Sequence, residues 1–237
     1  MEFKPFPKIP RLSRDCVITE KLDGTNASVT IVHEDHCDPE WSPDLAVAAI
    51  RPPYASPAPM PYHYIFAGSR NRFVTPGKET DNFGFAAWVA DHAWELLLLG
   101  LGTHYGEWWG QGIQRGYGLN EKRFSLFNTG RWRDRHDPQT GELLRTIAGE
   151  DAHLYAPACC HVVPVLWRGP FAHAFDQYDG NSAITWEMSD LSLNGSRAAP
   201  GFMNPEGIII YHTAANQYFK KTFVGDGAGK GVEGYGA

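Results

Sequence analysis

Two runs of hydrophobic and β-branched residues near the start of the chain have the composition of β-strands. Residues 16–32, CVITEKLDGTNASVTIV, place β-branched residues on both sides of an Asp-Gly pair. Asp-Gly between two such runs is a strong signal for a tight turn. The segment therefore predicts two strands joined by a turn, with Lys21 just before the turn.

A different periodicity follows between residues 81 and 102, DNFGFAAWVADHAWELLLLGLG. Its apolar residues recur at helical spacing, which predicts a helix with Asp81 or Asn82 as its cap and Gly100 as its end. A broad apolar face of this helix should pack on the core. The positions expected on that face are Phe85, Trp88, Val89, Ala93, Leu96 and Leu97.

The remaining apolar runs are short and read as strands with few helices between them. This pattern favours an α+β fold built on antiparallel sheets over a doubly wound parallel sheet. A turn is expected around DPQTGE at residues 137–142. The predicted strands are YIFAGSRNRFV, FSLFNTGRW, HVVPVLW, EGIIIYH and QYFKKTFV.

The length of 237 residues and the hydrophobic content of 43% are those of one globular domain, which we predict to span residues 1–237. Within it, the Pro-rich stretch near 37–64 predicts a surface excursion, and the Gly-rich end at 225–237 predicts a flexible tail. No apolar run is long enough to cross a bilayer, and the first residues lack a signal-peptide core. A cytoplasmic protein is the simplest expectation.

The formal net charge of -6 excludes a global basic field, so any contact with nucleic acid must come from a local patch. The Arg-rich stretch from Arg115 to Arg145 could follow a nucleic-acid backbone, but an exposed hairpin with solvated charges explains it at least as well. The four cysteines form no C-x-x-C pair. The cluster HEDHC at residues 33–37 could hold a metal, although a loop cluster is favoured.

The segment EKLDGTN at residues 20–26 carries the clearest chemistry. A free lysine is a poor nucleophile because its amine is protonated, whereas burial and neighbouring positive charge both disfavour the ammonium form. A rigidly held lysine beside a turn could thus attack a phosphate. Taken alone, however, K-x-D-G is more often an exposed hairpin with a solvated lysine.

Five further segments favour a nucleophilic Lys21 over a solvated lysine, because they follow EKLDGTN in a fixed order. They are AGSRNRF, YGEWWGQGIQRGYG, FSLFN, PEGIIIY and QYFKKTF. The ordered set resembles the nucleotidyltransferase domain of ATP-dependent RNA ligases, closest to the RNA ligase 2 group and its compact phage-type relatives. The resemblance runs from FPKIPRL to FKKTF, nearly the whole chain. It implies an ATP-grasp-like nucleotidyltransferase fold without an OB-fold.

By this resemblance, Lys21 is the residue that ATP adenylylates. Glu20 would read the adenine edge, and Asn26 would steady the sugar and phosphates. Asp23 and Gly24 would shape the turn between them, although relatives carry other residues at the Asp23 position and a plain turn also explains the pair.

The next three motifs supply further nucleotide contacts in the related enzymes. Arg70 would contact phosphate, and a continuous strand would place Arg72 on the same face. Glu107 would grip the ribose hydroxyls and Phe127 would stack on adenine. Without the resemblance, these side chains would be ordinary surface charges and packing, and Trp108 and Trp109 are expected in the core in either case.

The last two motifs depart in part from the family pattern. Glu206 corresponds to the carboxylate used toward a divalent metal. Lys220 and Lys221 are adjacent, whereas the family has two lysines separated by one residue. Strand geometry lets only one of them face inward with Thr222, and we favour Lys220.

The resemblance implies three phosphoryl transfers that use ATP and Mg²⁺ (or Mn²⁺): formation of lysyl-AMP, transfer of AMP to a 5′-phosphate, and sealing by a 3′-hydroxyl. The expected partner is nicked RNA or an RNA/DNA duplex, and no membrane. Only sixteen residues follow Lys221, so a partner protein could supply a clamp. The alternatives are a minimal DNA ligase and a non-catalytic nucleotide-binding protein, with a GTP-using capping enzyme ranked lower because Glu20 fits an adenine reader.

Overall fold

The computed structural model describes residues 3, 5–36, 43–51, 61–137, 139–144, 150–175 and 182–226. Cys37, part of the predicted excursion and most of the predicted Gly-rich tail lie outside these residues. The strands are β1 Asp15–Lys21, β2 Thr25–His33, β3 Ala48–Ile50, β4 His63–Ser69, β5 Phe73–Val74, β6 Gly102–Gly110, β7 Lys122–Leu126, β8 Cys160–Val162, β9 Val165–Pro170, β10 Gly207–His212 and β11 Gln217–Thr222. The α-helices are α1 Phe85–Asp91, α2 Ala93–Leu96, α3 Phe171–Phe175 and α4 Ala183–Asn194, with short 3₁₀ turns at Glu34–His36, Pro43–Leu45, Leu97–Leu99 and Glu150–Leu154.

The chain divides into two compact units. Residues 1–22 and 164–237 form the first, here called the terminal unit, and residues 23–163 form the second, the central unit. Both are built on sheets that are antiparallel apart from one parallel pair, β7 with β8. The predicted α+β class with antiparallel sheets and few helices is therefore confirmed.

The terminal unit contains a four-stranded sheet in the order β11-β10-β1-β9. Helix α4 begins after Ser182, whose Oγ accepts a hydrogen bond of 3.1 Å from the N–H of Thr185, as a helix cap does. Successive side chains of β1 and β10 point to opposite faces, so the even-numbered residues form one apolar face of the sheet. The buried core residues are Cys16, Ile18, Ala174, Ala183, Ile184, Leu191, Ile208 and Ile210.

The central unit contains a larger sheet in the order β3-β4-β2-β6-β7-β8, with β5 paired to β4. Helices α1 and α2 contribute Phe85, Val89 and Leu96 to its core, each with no exposed surface. Trp108 and Trp109 are also buried, as predicted. Strand β3 lies within the predicted excursion, where it pairs with β4.

The predicted tight hairpin at Asp23–Gly24 is wrong in one respect. Strands β1 and β2 both form, but β1 pairs with β9 and β10, and β2 pairs with β4 and β6. The reason is that each strand has two long-range partners, which leaves neither edge for pairing with the other. Residues 22–24 thus connect two sheets.

The predicted long helix is divided. Helix α1 stops at Asp91 because His92 departs from helical geometry (φ -104, ψ 14), and Gly100 ends the segment with a φ of 80. Asp81 caps α1 from outside it, since its carboxylate accepts hydrogen bonds from the N–H groups of Ala86 (2.7 Å) and Ala87 (3.2 Å). None of the helices among the described residues has the length and apolar character needed to cross a membrane.

We expect Asp81→Ala to lower the free energy of unfolding by about 1 kcal/mol, because two N–H groups in the first turn of α1 lose their acceptor. Urea denaturation followed by circular dichroism measures the change. Asp91→Ala, at the other end of the same helix, is the control. An acid at a helix C-terminus is not stabilising, so an equal loss in both variants would contradict the capping role.

Candidate nucleotide site

Lys21 forms a partly buried ion pair with Glu206 in the terminal unit. Lys21 is the last residue of β1, and it lies opposite Gly207, the first residue of β10. Glu206 immediately precedes β10, so the pairing of these strands brings its Oε2 to 2.5 Å from the Lys21 Nζ. The exposed fractions of the two side chains are 21% and 18%. The predicted nucleophile and the predicted metal-binding carboxylate are therefore adjacent, although 185 positions separate them in the sequence.

This ion pair has a chemical consequence for the amine. A lysine can attack phosphorus only after it has lost a proton. The Glu206 carboxylate is within hydrogen-bond distance of that proton. The ion pair therefore holds the nitrogen in position, and the proton must leave before the attack.

Glu20 is a buried acid with only part of its hydrogen-bonding capacity used. Its exposed fraction is 1%, and its Oε2 accepts hydrogen bonds from the N–H groups of Arg197 (2.8 Å) and Ala198 (2.9 Å). Its Oε1 is buried and meets no donor with hydrogen-bond geometry in the described part of the chain. Burial raises the pKa of Glu20 against the opposing effect of Ser196 and the two N–H groups.

Strand alternation separates Glu20 from Lys21, because neighbouring residues of β1 point to opposite faces of the sheet. Glu20 lies in register with Ile208 of β10, which is fully buried. Glu20 therefore holds the segment at residues 197–198 in place, a structural role that the sequence did not predict. Its reading of adenine stays a prediction.

Lys220 and Lys221 lie on β11, the edge strand of the same sheet. Lys220 pairs with Ile209, which pairs with Thr19, so Lys220 shares the sheet face of Lys21. Lys221 pairs with Ile208 on the other face, and its Nζ lies 3.3 Å from a carboxylate oxygen of Asp226. The pairing of β1, β10 and β11 therefore places Lys220, and not Lys221, on the sheet face of Lys21, as the preference for Lys220 assumed.

In the central unit, three contacts fix the start of β2. The Asp23 carboxylate accepts a hydrogen bond of 2.8 Å from the Arg115 guanidinium, and the Asp23 N–H donates to the Tyr117 hydroxyl at 2.8 Å. The Gly24 N–H donates to Glu107 Oε1 at 3.1 Å. The turn that follows the nucleophile in sequence is thereby held by β6 and the loop after it.

Gly24 is packed so closely that a side chain would not fit. A Cβ at this position would lie 2.7 Å from the Cβ of Trp109 and would also press on the Trp108 carbonyl. The requirement for glycine is steric, because no left-handed backbone angle is involved. It places the Gly24 backbone directly against β6.

Asn26, Glu107 and Phe127 lie on adjoining strands of the central unit. Asn26 is directly opposite Glu107 across β2 and β6, so both share one face of the sheet. Phe127 is one residue beyond β7, and its N–H donates to the Tyr105 carbonyl at 3.0 Å. Phe127 is partly exposed, whereas Phe124 is fully buried.

The prediction that Arg70 and Arg72 share a strand face is wrong. Strand β4 ends at Ser69, and the chain turns before β5, with the Ser69 N–H donating to the Arg72 carbonyl at 2.8 Å. The Arg72 guanidinium bonds to the Thr80 carbonyl at 3.2 Å, and Arg70 is exposed in the turn. A turn replaces the strand because residues 69–72, Ser-Arg-Asn-Arg, lack the apolar alternation of their neighbours.

Sequence reasoning missed Arg115 and Tyr117. A signal was present, because QGIQRGYG holds three glycines within eight residues, which is typical of a loop with left-handed backbone angles. Gln114 and Tyr117 indeed adopt φ values of 45 and 53. Arg131 and Trp132, which could have followed a nucleic-acid backbone, are engaged in packing instead: Arg131 donates to the Leu99 carbonyl at 2.6 Å and Trp132 is 5% exposed.

Comparison with known proteins assigns the chain to a family. The family model described as RNA ligase matches residues 14–224. The chain belongs to the RNA ligase family. No curated protein matches it.

Several solved structures of a Naegleria gruberi RNA ligase are similar to this RNA ligase family member. A mutant of that ligase with AMP and Mn has a TM-score of 0.46 at 16% identity, and a mutant with ATP and Mn has a TM-score of 0.45 at 15% identity. Each alignment covers 89% of this chain and 50% of the other. The chain thus spans about half the length of these ligases.

Proposed function

We propose that this protein is an ATP-dependent RNA ligase that acts through a lysyl-AMP intermediate on Lys21. The observation that carries the proposal is the Lys21–Glu206 ion pair of 2.5 Å, in a chain that matches the RNA ligase family over residues 14–224. A lysine that is four-fifths buried beside a carboxylate is unlike the solvated lysine of an exposed hairpin. The other side chains are assigned as the family resemblance implies.

In the first step, the Lys21 Nζ attacks the α-phosphorus of ATP. A P–N bond forms, the bond from the α-phosphorus to the bridging oxygen breaks, and pyrophosphate leaves with the electron pair. The proton lost by the amine passes to water. The product stores the energy of the anhydride as a phosphoramidate.

Two further displacements at phosphorus complete the reaction. A 5′-phosphate oxygen of the nucleic acid attacks the lysyl-AMP phosphorus, which forms a 5′-adenylylated end and returns the lysine to its amine form. A 3′-hydroxyl then attacks the 5′-phosphate, forms the phosphodiester and releases AMP. Each step exchanges one bond at phosphorus for another.

Glu20 is assigned to adenine by its chemistry. Its Oε1 is a buried acceptor that meets no donor with hydrogen-bond geometry among the described residues, although the Ser196 side chain lies close enough to lower the pKa of the carboxyl. Adenine carries an amino group where guanine carries a carbonyl oxygen, so a buried acceptor complements adenine and opposes guanine.

The remaining nucleotide contacts are assigned residue by residue. Phe127 would stack on the base, Glu107 would accept from the ribose hydroxyls, and Arg70 would pair with phosphate. Asp23, Gly24 and Asn26 would steady the sugar and phosphates. Among the described residues, Glu107 is also the acceptor for Gly24 N–H, so ribose binding and the shape of this turn would depend on one carboxylate.

Carboxylate oxygens are the ligands that Mg²⁺ and Mn²⁺ prefer, so Glu206 would bind the divalent metal, which offsets charge on the triphosphate. Lys220, on the sheet face of Lys21, would neutralise the α-phosphate. Lys221, the next residue, would add positive charge from the opposite face of the strand. The proposed fold is the ATP-grasp-like nucleotidyltransferase domain. Its substrate would be nicked RNA or an RNA/DNA duplex, held with the help of a partner protein that acts as a clamp.

Mass spectrometry of the intact protein after incubation with ATP and Mg²⁺ tests the proposal. We expect a mass increase of one AMP, mapped by peptide analysis to Lys21, because the amine is the nucleophile. The adduct should be absent with EDTA and weak with GTP. An unlabelled protein, or an adduct on another lysine, would contradict the proposal and favour a non-catalytic nucleotide-binding protein.

A minimal DNA ligase would form the same adduct, so the adduct alone does not separate the two ligases. Sealing of matched nicks does. We expect a nick flanked by RNA to be sealed faster than the same nick in DNA, and the reverse order would favour the DNA ligase.

A further inference from the structure

Asp134, His136 and His161 form a second cluster of ionisable side chains in the central unit, and none of them is assigned to the nucleotide. The His136 Nδ1 lies 2.8 Å from Asp134 Oδ1, and the His161 Nδ1 lies 3.7 Å from Asp134 Oδ2. The two imidazole rings are stacked, with centroids 3.8 Å apart and an interplanar angle of 22°. The three side chains are between 14% and 30% exposed.

The backbone around the cluster is fixed by hydrogen bonds. Arg133 bonds to the residues on both sides of Tyr155: its N–H donates to the Leu154 carbonyl at 2.8 Å, and its carbonyl accepts from Ala156 N–H at 3.0 Å. The Val162 N–H of β8 donates to Asp134 Oδ2 at 2.8 Å. The side chains that meet here are therefore presented by two rigid segments.

We propose that Asp134, His136 and His161 bind a divalent transition-metal ion of the zinc class, through one carboxylate oxygen and one imidazole nitrogen of each histidine. Their ligand atoms all lie within 4.8 Å of one another. Ligand atoms at tetrahedral angles around zinc are roughly 3.3–3.4 Å apart. The His136 Nδ1 lies 2.8 Å from one carboxylate oxygen and the His161 Nδ1 lies 3.7 Å from the other, so both nitrogens are near that separation from the carboxylate group.

Hydrogen bonding accounts for the His136 side of the cluster, because Asp134 Oδ1 lies 2.8 Å from the His136 Nδ1 and accepts from the His136 N–H at 2.9 Å. At 3.7 Å, the His161 Nδ1 is too far from the carboxylate for a hydrogen bond, yet it faces the same group as the His136 Nδ1. A divalent cation would satisfy two neutral imidazole nitrogens and the carboxylate together.

The ligand types identify the class of metal. Imidazole nitrogen favours zinc and its transition-metal neighbours, whereas Mg²⁺ prefers oxygen ligands. The site would thus differ in chemistry from the Mg²⁺ bound through Glu206. A metal here would link the segment at residues 133–136 to β8 and would thereby stabilise the central unit. The proposed metal site does not depend on the proposed ligase activity.

Metal titration of the untagged, EDTA-treated full-length protein tests the proposal, with Co²⁺ as a spectroscopic probe and Zn²⁺ in competition. We expect one Co²⁺ per chain with visible absorption bands, displacement by Zn²⁺, and a higher melting temperature with metal. His136→Ala and His161→Ala should each weaken binding by more than about tenfold, the loss that even an outer-shell change can cause.

Two histidines serve as matched controls. His173→Ala removes an exposed histidine from α3, and His33→Ala removes one from the HEDHC segment; both should bind like the wild type. Should either ligand variant fail to fold, imidazole ¹⁵N spectra of the wild type decide, since Zn²⁺ should shift the signals of His136 and His161. Absence of binding, unchanged binding in both ligand variants, loss in His33→Ala, or shifts confined to other histidines would overturn the proposal.

Discussion

Lys21→Arg should abolish formation of the AMP adduct while leaving the protein folded. Arginine keeps the positive charge and can still pair with Glu206, but its guanidinium does not lose a proton in proteins and offers no free nitrogen lone pair. We expect the rate of adduct formation to fall by at least about three orders of magnitude, because no neutral amine remains at this position to attack the phosphorus. Quenched-flow incubation with radiolabelled ATP measures this rate.

Lys78→Arg is the matched control, because Lys78 is exposed in a turn of the central unit. It should form the adduct at the wild-type rate. Melting temperatures of both variants check that the substitutions preserve the fold. If Lys21→Arg still became labelled, another residue would have to be the nucleophile.

Gly24→Ala should impair both stability and adduct formation. The added Cβ would collide with the Trp109 Cβ and the Trp108 carbonyl, so β6 and the turn at residues 23–24 would have to separate. Overpacking of this kind costs about 1–3 kcal/mol. Because the turn follows Lys21 by two residues, we also expect adduct formation to slow by about tenfold to a hundredfold, as a displacement of one ångström can cause.

Gly130→Ala tests whether the effect is specific to this position. A Cβ at Gly130 would meet only Asn128 Oδ1, at 3.4 Å, an ordinary contact. This variant should resemble the wild type in urea denaturation and in adduct formation. A wild-type rate in Gly24→Ala would show that the close approach to β6 has no role in positioning the lysine.

The sequence predicted local structure where a pattern was unbroken. The hydrophobic and β-branched runs in CVITEKLDGTNASVTIV produced both β1 and β2, and the apolar spacing after Asp81 produced the buried face of α1 and α2. The fold class followed from the order of these elements. The ordered motifs identified the RNA ligase family because six segments in sequence are far more specific than one.

Partners distant in sequence could not be predicted in the same way. Nothing local to Lys21 indicates that its strand pairs with residues 165–170 and 207–212 rather than with β2. The break at Arg70 depended on a turn whose residues carry only a weak signal. His136 and His161 are 25 positions apart and meet only because a loop returns to β8, so spacing alone could not find them.

The assembly of the terminal unit has a consequence for biosynthesis. Residues 23–163 are continuous in the chain, whereas the sheet that holds Lys21 needs strands from residues 165–222. During translation the lysine leaves the ribosome early, and its acidic neighbour follows 185 residues later. At about 5–20 residues per second, the nascent protein must carry β1 without its partner strands for roughly ten seconds or more.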